Sequence, residues 1–111
     1  MGYYTPQYTE SDFARVLARE FPGCIQEAKA VLLQYAKESY HTCPLRVHMA
    51  CLKLARGDIA RLREYVQAAC GDPRDVLAWA EYRHTWRAKS SKARAVAVET
   101  DWRELQEWLT R

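Results

Sequence analysis

Residues 44–82 read PLRVHMACLKLARGDIARLREYVQAACGDPRDVLAWAEY, and this stretch decides the fold. Pro44 suits the first turn of a helix, because proline lacks the N–H that would be unsatisfied there. Gly57–Asp58 and Gly71–Asp72–Pro73 each combine a glycine that ends one helix with an aspartate that caps the next. The stretch therefore predicts three consecutive helices separated by short joints.

The first of these helices, over residues 44–56, is predicted to be central. At 100° per residue, its mostly apolar side chains cover about half of the helix circumference. They are Leu45, Val47, His48, Cys51, Leu52, Leu54 and Ala55. Only Arg46, Lys53 and Arg56 clearly point away. So broad an apolar face indicates a helix that is packed on two sides or shared with a partner.

Apolar residues recur at helical spacing on both sides of this stretch. We expect Thr9 or Ser11 to cap a first helix, a second helix to cover residues 24–40, and Thr100–Asp101 to cap a last one. No segment is convincing as a strand. The sequence predicts an all-α fold, a compact bundle of five to six short helices arranged as stacked helical hairpins, with no sheet.

The 111 residues are predicted to form a single domain, since 49% are hydrophobic and 28% are charged, as in globular proteins. Within residues 1–111 we expect an extended N-terminal arm (1–8), a basic, poorly defined connection (84–98) and a C-terminal helix (99–111). No apolar run approaches the roughly 18 residues of a membrane span. No secretory leader is visible, so we expect a cytoplasmic protein without membrane association.

Several enzyme classes are excluded by glycine usage and by missing motifs. The sequence has four glycines: Gly2 near the start, and Gly23, Gly57 and Gly71 at helix joints. None remains for a phosphate-binding loop, and HExxH and GxSxG patterns are missing. We therefore expect no catalytic residues, no cofactor and no enzymatic activity.

The cysteines are expected to be reduced thiols, mostly buried, because a chain of this length can build a core without disulfides. A zinc site is the alternative for part of this set: His41, Cys43, His48 and Cys51 lie within eleven residues and offer nitrogen and sulfur ligands. Their spacing matches no usual zinc pattern. The sequence therefore favours no metal, with a neutral His48 that donates its N–H to a helix-end carbonyl or a carboxylate.

Two features remain as candidate binding surfaces. The first is a set of aromatic residues in the C-terminal third, which suits either a core or an interaction surface. It comprises Trp79, Tyr82, Trp86, Trp102 and Trp108. The second is a run of cations without a carboxylate, which suits either a solvated connection or an anion-binding site. It comprises Arg83, Arg87, Lys89, Lys92 and Arg94.

A resemblance adds to this interpretation. It lies in LKLARGD at 52–58, in Leu62-x-x-Tyr65-Val66-x-x-Ala69 and in Asp72-x-Arg74-Asp75-Val76-Leu77-x-Trp79-Ala80-Glu81-Tyr82. A closing Asp101-Trp102-x-x-x-Gln106-x-Trp108-Leu109 belongs to the same pattern. These motifs resemble a family of small, uncharacterised all-helical proteins of bacterial type, over about half of the chain. The resemblance implies a folded, intracellular all-α domain, and it transfers no catalytic residue.

The function expected from the sequence is that of a non-enzymatic helical interaction module. It would bind a protein partner or a second copy of itself through apolar and aromatic helix faces. The alternative is binding of nucleic acid or another polyanion through the basic segment 83–94. Salt dependence separates the two, since phosphate binding weakens steeply with ionic strength.

Overall fold

The computed structural model describes residues 5–111, so residues 1–4 of the predicted N-terminal arm lie outside the described residues. Helices and one 3₁₀ turn make up this part of the chain, which contains no strand. In order they are α1 (Glu10–Glu20), α2 (Ile25–Leu32), α3 (Pro44–Ala55), α4 (Ile59–Gly71), α5 (Pro73–Glu81), the 3₁₀ turn (Thr85–Arg87) and α6 (Ser91–Leu109). The prediction of an all-α helical bundle is confirmed.

Helix α3 is the centre of the bundle. It packs against α1, α4 and α5, and seven of its 12 residues are buried. Consecutive helices also pair as α1–α2, α3–α4 and α5–α6, while α2 packs on α4. The broad apolar face of α3 is therefore covered on more than one side by the chain itself.

The predicted helix starts in residues 9–73 follow from local capping chemistry. Thr9 accepts a hydrogen bond from the Asp12 N–H at 3.0 Å, and Asp12 accepts one from the Thr9 N–H in return. Asp58 accepts from the Ala60 N–H at 2.9 Å at the start of α4. Asp72 does the same for α5, which begins with proline as expected. These boundaries are confirmed because each signal lies within three residues of the helix it starts.

The second helix is shorter than the sequence predicts. It ends at Leu32 rather than Tyr40, and residues 33–40 form turns. Tyr35 is fully buried there, and its hydroxyl donates to the Thr42 carbonyl at 2.7 Å. The Tyr35 carbonyl accepts from His48 of α3 at 2.7 Å, so long-range contacts replace the helix.

The predicted boundary between a poorly defined connection over 84–98 and a helix over 99–111 is wrong, because residues 91–98 already belong to the helix. Helix α6 begins at Ser91, because the Ser90 hydroxyl accepts from the Ala93 N–H at 3.1 Å and caps it. Thr100–Asp101 lies inside the helix. At the other end, Arg15 of α1 donates to the Leu109 carbonyl at 2.7 Å, which fixes α6 to the bundle. No helix within residues 5–111 has both the length and the apolar character needed to cross a bilayer.

Candidate functional site

The end of α5 and the 3₁₀ turn carry an exposed aromatic surface. Tyr82 and Trp86 line a shallow depression of about 250 Å³ together with Ala78 and Thr85. Trp86 is 56% exposed, and the guanidinium carbon of Arg87 lies 5.1 Å from the centre of its ring. An exposed indole next to an arginine is typical of binding surfaces. We call Tyr82, Trp86 and Arg87 the aromatic surface.

A buried carboxylate of α6 holds the 3₁₀ turn in place. Asp101 accepts hydrogen bonds from the His84 N–H at 3.0 Å, the Thr85 N–H at 2.9 Å and the Thr85 hydroxyl at 2.6 Å. His84 Nε2 also lies 2.9 Å from a carboxylate oxygen of Glu104, one turn further along α6. Asp101 therefore sets the position of the neighbouring Trp86.

The other aromatic candidates lie elsewhere. Trp79 is exposed, and its ring meets that of Tyr65 on α4 edge-on, with ring centres 6.2 Å apart. Trp102 is exposed on α6. Trp108 is only 4% exposed and belongs to the core, so the core alternative holds for it and it is not part of the candidate interaction surface. The reason is that the C-terminal half of α6 packs on the bundle, where Arg19 of α1 covers the Trp108 ring at 5.3 Å.

The first turns of α6 project from the bundle. Every residue from Ser91 to Val96 is exposed, and Ala97 is the first buried one. Helices of globular proteins take most of their stability from packing an apolar face. This segment packs no apolar face on the bundle, and its Val96 side chain is 62% exposed. We call Ser91–Val96 the exposed start of α6.

The predicted basic residues are all exposed. Arg87 lies on the 3₁₀ turn, and Lys92 and Arg94 lie on α6, whereas Arg83 precedes the turn and Lys89 lies between it and α6. Arg83 lies 4.0 Å from Glu104. Within residues 5–111 the remaining four have no ion pair; they are Arg87, Lys89, Lys92 and Arg94. Lys92 and Arg94 lie in the first turn of α6, where the helix dipole disfavours positive charge. The stability of the helix itself therefore does not explain why Lys92 and Arg94 lie in its first turn.

The four residues of the zinc alternative do not converge. The His48 ring is buried, and its Nε2–H donates to the Tyr35 carbonyl at 2.7 Å, three residues beyond the end of α2 rather than at a helix end or a carboxylate. Burial lowers the pKa of His48, against the opposing effect of its backbone hydrogen bonds, so the ring is neutral. His41 instead stacks on the Tyr35 ring, with centres 4.5 Å apart. Cys43 is exposed and Cys51 is buried.

All four cysteines are free thiols, as predicted, but only Cys51 is fully buried. Cys24 is half-buried, while Cys43 and Cys70 are exposed, so the expectation of mostly buried cysteines is wrong for two of them. Burial raises the pKa of the Cys51 thiol to about 12. Cys51 is therefore protonated at neutral pH and unsuited to nucleophilic attack.

One group with the donor chemistry of a metal site escaped the sequence analysis. The ligand atoms of His84, Asp101 and Glu104 all lie within 4.8 Å of one another. Asp101 and Glu104 are three residues apart on one helix face, which was the available signal. These carboxylates already bind the backbone and ring of His84, so the group serves the 3₁₀ turn.

A polar cleft was also missed. It holds about 570 Å³ where the ends of α1, α3 and α6 meet. The residues that line the cleft come from four places: the end of α1 (Glu20), the end of α3 and the residue after it (Lys53 and Arg56), the segment after α5 (Arg83), and the C-terminal segment (Glu104, Glu107, Trp108 and Arg111). Lys53 and Arg56 are two of the three residues that point away from the apolar face of α3. The sequence shows this polarity but not which elements enclose it.

No protein-family model, curated protein or solved structure matches this chain. The resemblance to a family of small helical proteins therefore stays a prediction.

Proposed function

We propose that the protein is a non-enzymatic, cytoplasmic interaction module that binds an acidic protein segment through the aromatic surface and the exposed start of α6. The observation that carries this proposal is the exposure of every residue from Ser91 to Val96. A helical segment without packing is marginal in water, and a partner would supply the missing apolar contact. Four free thiols are in keeping with a reducing compartment.

The charge of this region indicates the chemistry of the partner. The segment 83–94 holds five cations and no carboxylate, and four of the cations have no ion pair within residues 5–111. Carboxylates of a partner would complement them, while Trp86 and Val96 offer apolar contact. The combination favours an acidic segment with apolar side chains over a purely charged one.

Nucleic acid is the second candidate, favoured by the arginine stacked on exposed Trp86. Two observations weigh against it. Residues 1–82 carry ten basic and ten acidic side chains, so no wider positive field surrounds the segment. Val96 also provides an apolar contact that a phosphate backbone would not use.

The test compares three labelled probes by fluorescence anisotropy: an acidic peptide containing leucine, a poly-glutamate peptide of equal charge, and a single-stranded oligonucleotide. We expect the leucine-containing peptide to bind most tightly. Trp86→Ala and the double variant Lys92→Glu/Arg94→Glu should each weaken it by about tenfold or more. Arg61→Glu on α4 removes an exposed cation elsewhere and serves as the matched control.

Equal binding of both peptides, or equal loss in the Arg61 control, would reduce the effect to unspecific charge attraction. Tighter binding of the oligonucleotide, with a steep salt dependence, would support the nucleic-acid alternative. Self-association is measured by sedimentation, and a dimer that Val96→Asp dissociates would identify a second copy as the partner.

A further inference from the structure

The cleft at the ends of α1, α3 and α6 has an uneven distribution of ion pairs. Glu20 is bound by Arg19, with Nε and Oε2 3.1 Å apart. Glu104 Oε2 lies 2.9 Å from His84 Nε2, and its Oε1 lies 4.0 Å from Nη1 of Arg83, which also lines the cleft. Two of the three carboxylates that line the cleft are therefore contacted by side chains outside it.

Three of the four cations that line the cleft lack such a partner. Within residues 5–111, Lys53, Arg56 and Arg111 form no ion pair. Arg56 and Arg111 are exposed, whereas Lys53 is half-buried, and burial lowers the pKa of its ammonium group. Arg83 and Arg56 lie close enough to add to this lowering, while Glu104 and Asp101 oppose it. Four cations and three carboxylates thus line the cleft, and three of the cations are left without an ion pair.

The backbone that presents Arg56 is unusual. Arg56 ends α3 in the left-handed conformation, with φ of 52°. An arginine costs about 1 kcal/mol more than glycine there, and such positions are common at functional sites. Gly57 follows with φ of 77°, and a Cβ on it would lie 3.1 Å from the Glu20 carbonyl oxygen. The end of α1 therefore lies directly against the joint that follows α3, and Arg56 lines the cleft at this joint.

We infer that this cleft is a binding site for the phosphate or carboxylate group of a small molecule, held by Lys53 and Arg56. Its volume of about 570 Å³ is that of a small-ligand pocket. Ammonium and guanidinium groups both form charge-assisted hydrogen bonds to such oxyanions. The site is separate from the aromatic surface and does not depend on the proposed function.

The experiment titrates inorganic phosphate and citrate into the full chain at constant ionic strength, followed by amide NMR shifts and calorimetry. The phosphate and citrate arms distinguish the two oxyanion chemistries. We expect saturable one-to-one binding of at least one of them. Lys53→Met, which keeps most of the apolar stem and removes the charge, should weaken binding by about tenfold or more.

Arg56→Gly separates loss of binding from loss of fold. Glycine prefers the left-handed conformation, so this variant should bind more weakly while melting at the same or a higher temperature. Lys37→Met, between α2 and α3, removes one exposed charge outside both sites and should leave binding unchanged. Absence of saturable binding by both anions, or equal weakening by Lys37→Met, would overturn the inference.

Discussion

The ion pair between Arg46 of α3 and Glu81 of α5 allows a sharp test of how the bundle is held together. Glu81 is only 1% exposed, whereas the Arg46 side chain is 23% exposed. Arg46 Nε donates to Glu81 Oε2 at 3.0 Å, and its Nη2 donates to Oε1, so the pair is bidentate. The hydrogen bond to Glu81 raises the pKa of Arg46, against the effect of burial.

We expect Arg46→Met to be more destabilising than Glu81→Gln. Methionine retains the apolar stem but removes both charge-assisted bonds from a buried carboxylate, which costs about 3–5 kcal/mol. Glutamine retains one acceptor, and the partly exposed Arg46 regains water, so Glu81→Gln should cost about 1–2 kcal/mol. Arg46→Met would then lower the melting temperature by roughly 12–20 °C.

Urea unfolding followed by circular dichroism measures Arg46→Met, Glu81→Gln, Glu81→Met and the double variant Arg46→Met/Glu81→Met. The double variant should lose less stability than Arg46→Met alone, because two apolar side chains leave no buried charge. A loss equal to the sum of the single Arg46→Met and Glu81→Met effects would refute the reasoning. So would an Arg46→Met cost below that of Glu81→Gln.

Three further predictions follow from the buried and strained positions. The pKa of His48 is lowered in the folded state. The neutral ring therefore contributes its full stabilisation of the fold above the unfolded pKa near 6.5, and this stabilisation is lost as the pH falls through the folded pKa. His48→Gln should therefore flatten the fall in melting temperature between neutral and mildly acidic pH. Gly57→Ala should lower the free energy of unfolding by about 1–2 kcal/mol in urea, whereas an unchanged midpoint would contradict the left-handed joint. Asp101→Ala should cost about 3 kcal/mol and speed amide exchange at His84 and Thr85, since three hydrogen bonds are lost.

The sequence predicted the middle of the chain best because its signals are local. Pro44, Gly57–Asp58 and Gly71–Asp72–Pro73 act on the residues next to them, and α3, α4 and α5 start where these signals lie. The central position of α3 also followed, since an arc covering half a helix has to be buried on more than one side.

The errors came from residues whose partners are distant in sequence. Thr100–Asp101 has the pattern of a helix cap, but the Asp101 carboxylate binds Thr85, 16 residues earlier, from within a helix. Tyr35 continues the spacing of α2, yet its carbonyl binds His48, 13 residues later. A side-chain hydrogen bond across the fold competes with the helix, and periodicity carries no information about it.

The polar face of α3 shows how the same limitation affects the sites. Arg46, Lys53 and Arg56 are the residues that the apolar arc leaves over, and solvent exposure is the usual outcome for such cations. Instead, Arg46 binds a buried glutamate of α5, and Lys53 is half-buried in the cleft, which the exposed Arg56 also lines. Because α3 is covered on several sides, even its polar residues meet other elements. A central helix therefore has no side that can be assigned to solvent from its own sequence, and its cations are the first place to search for buried ion pairs and ligand sites.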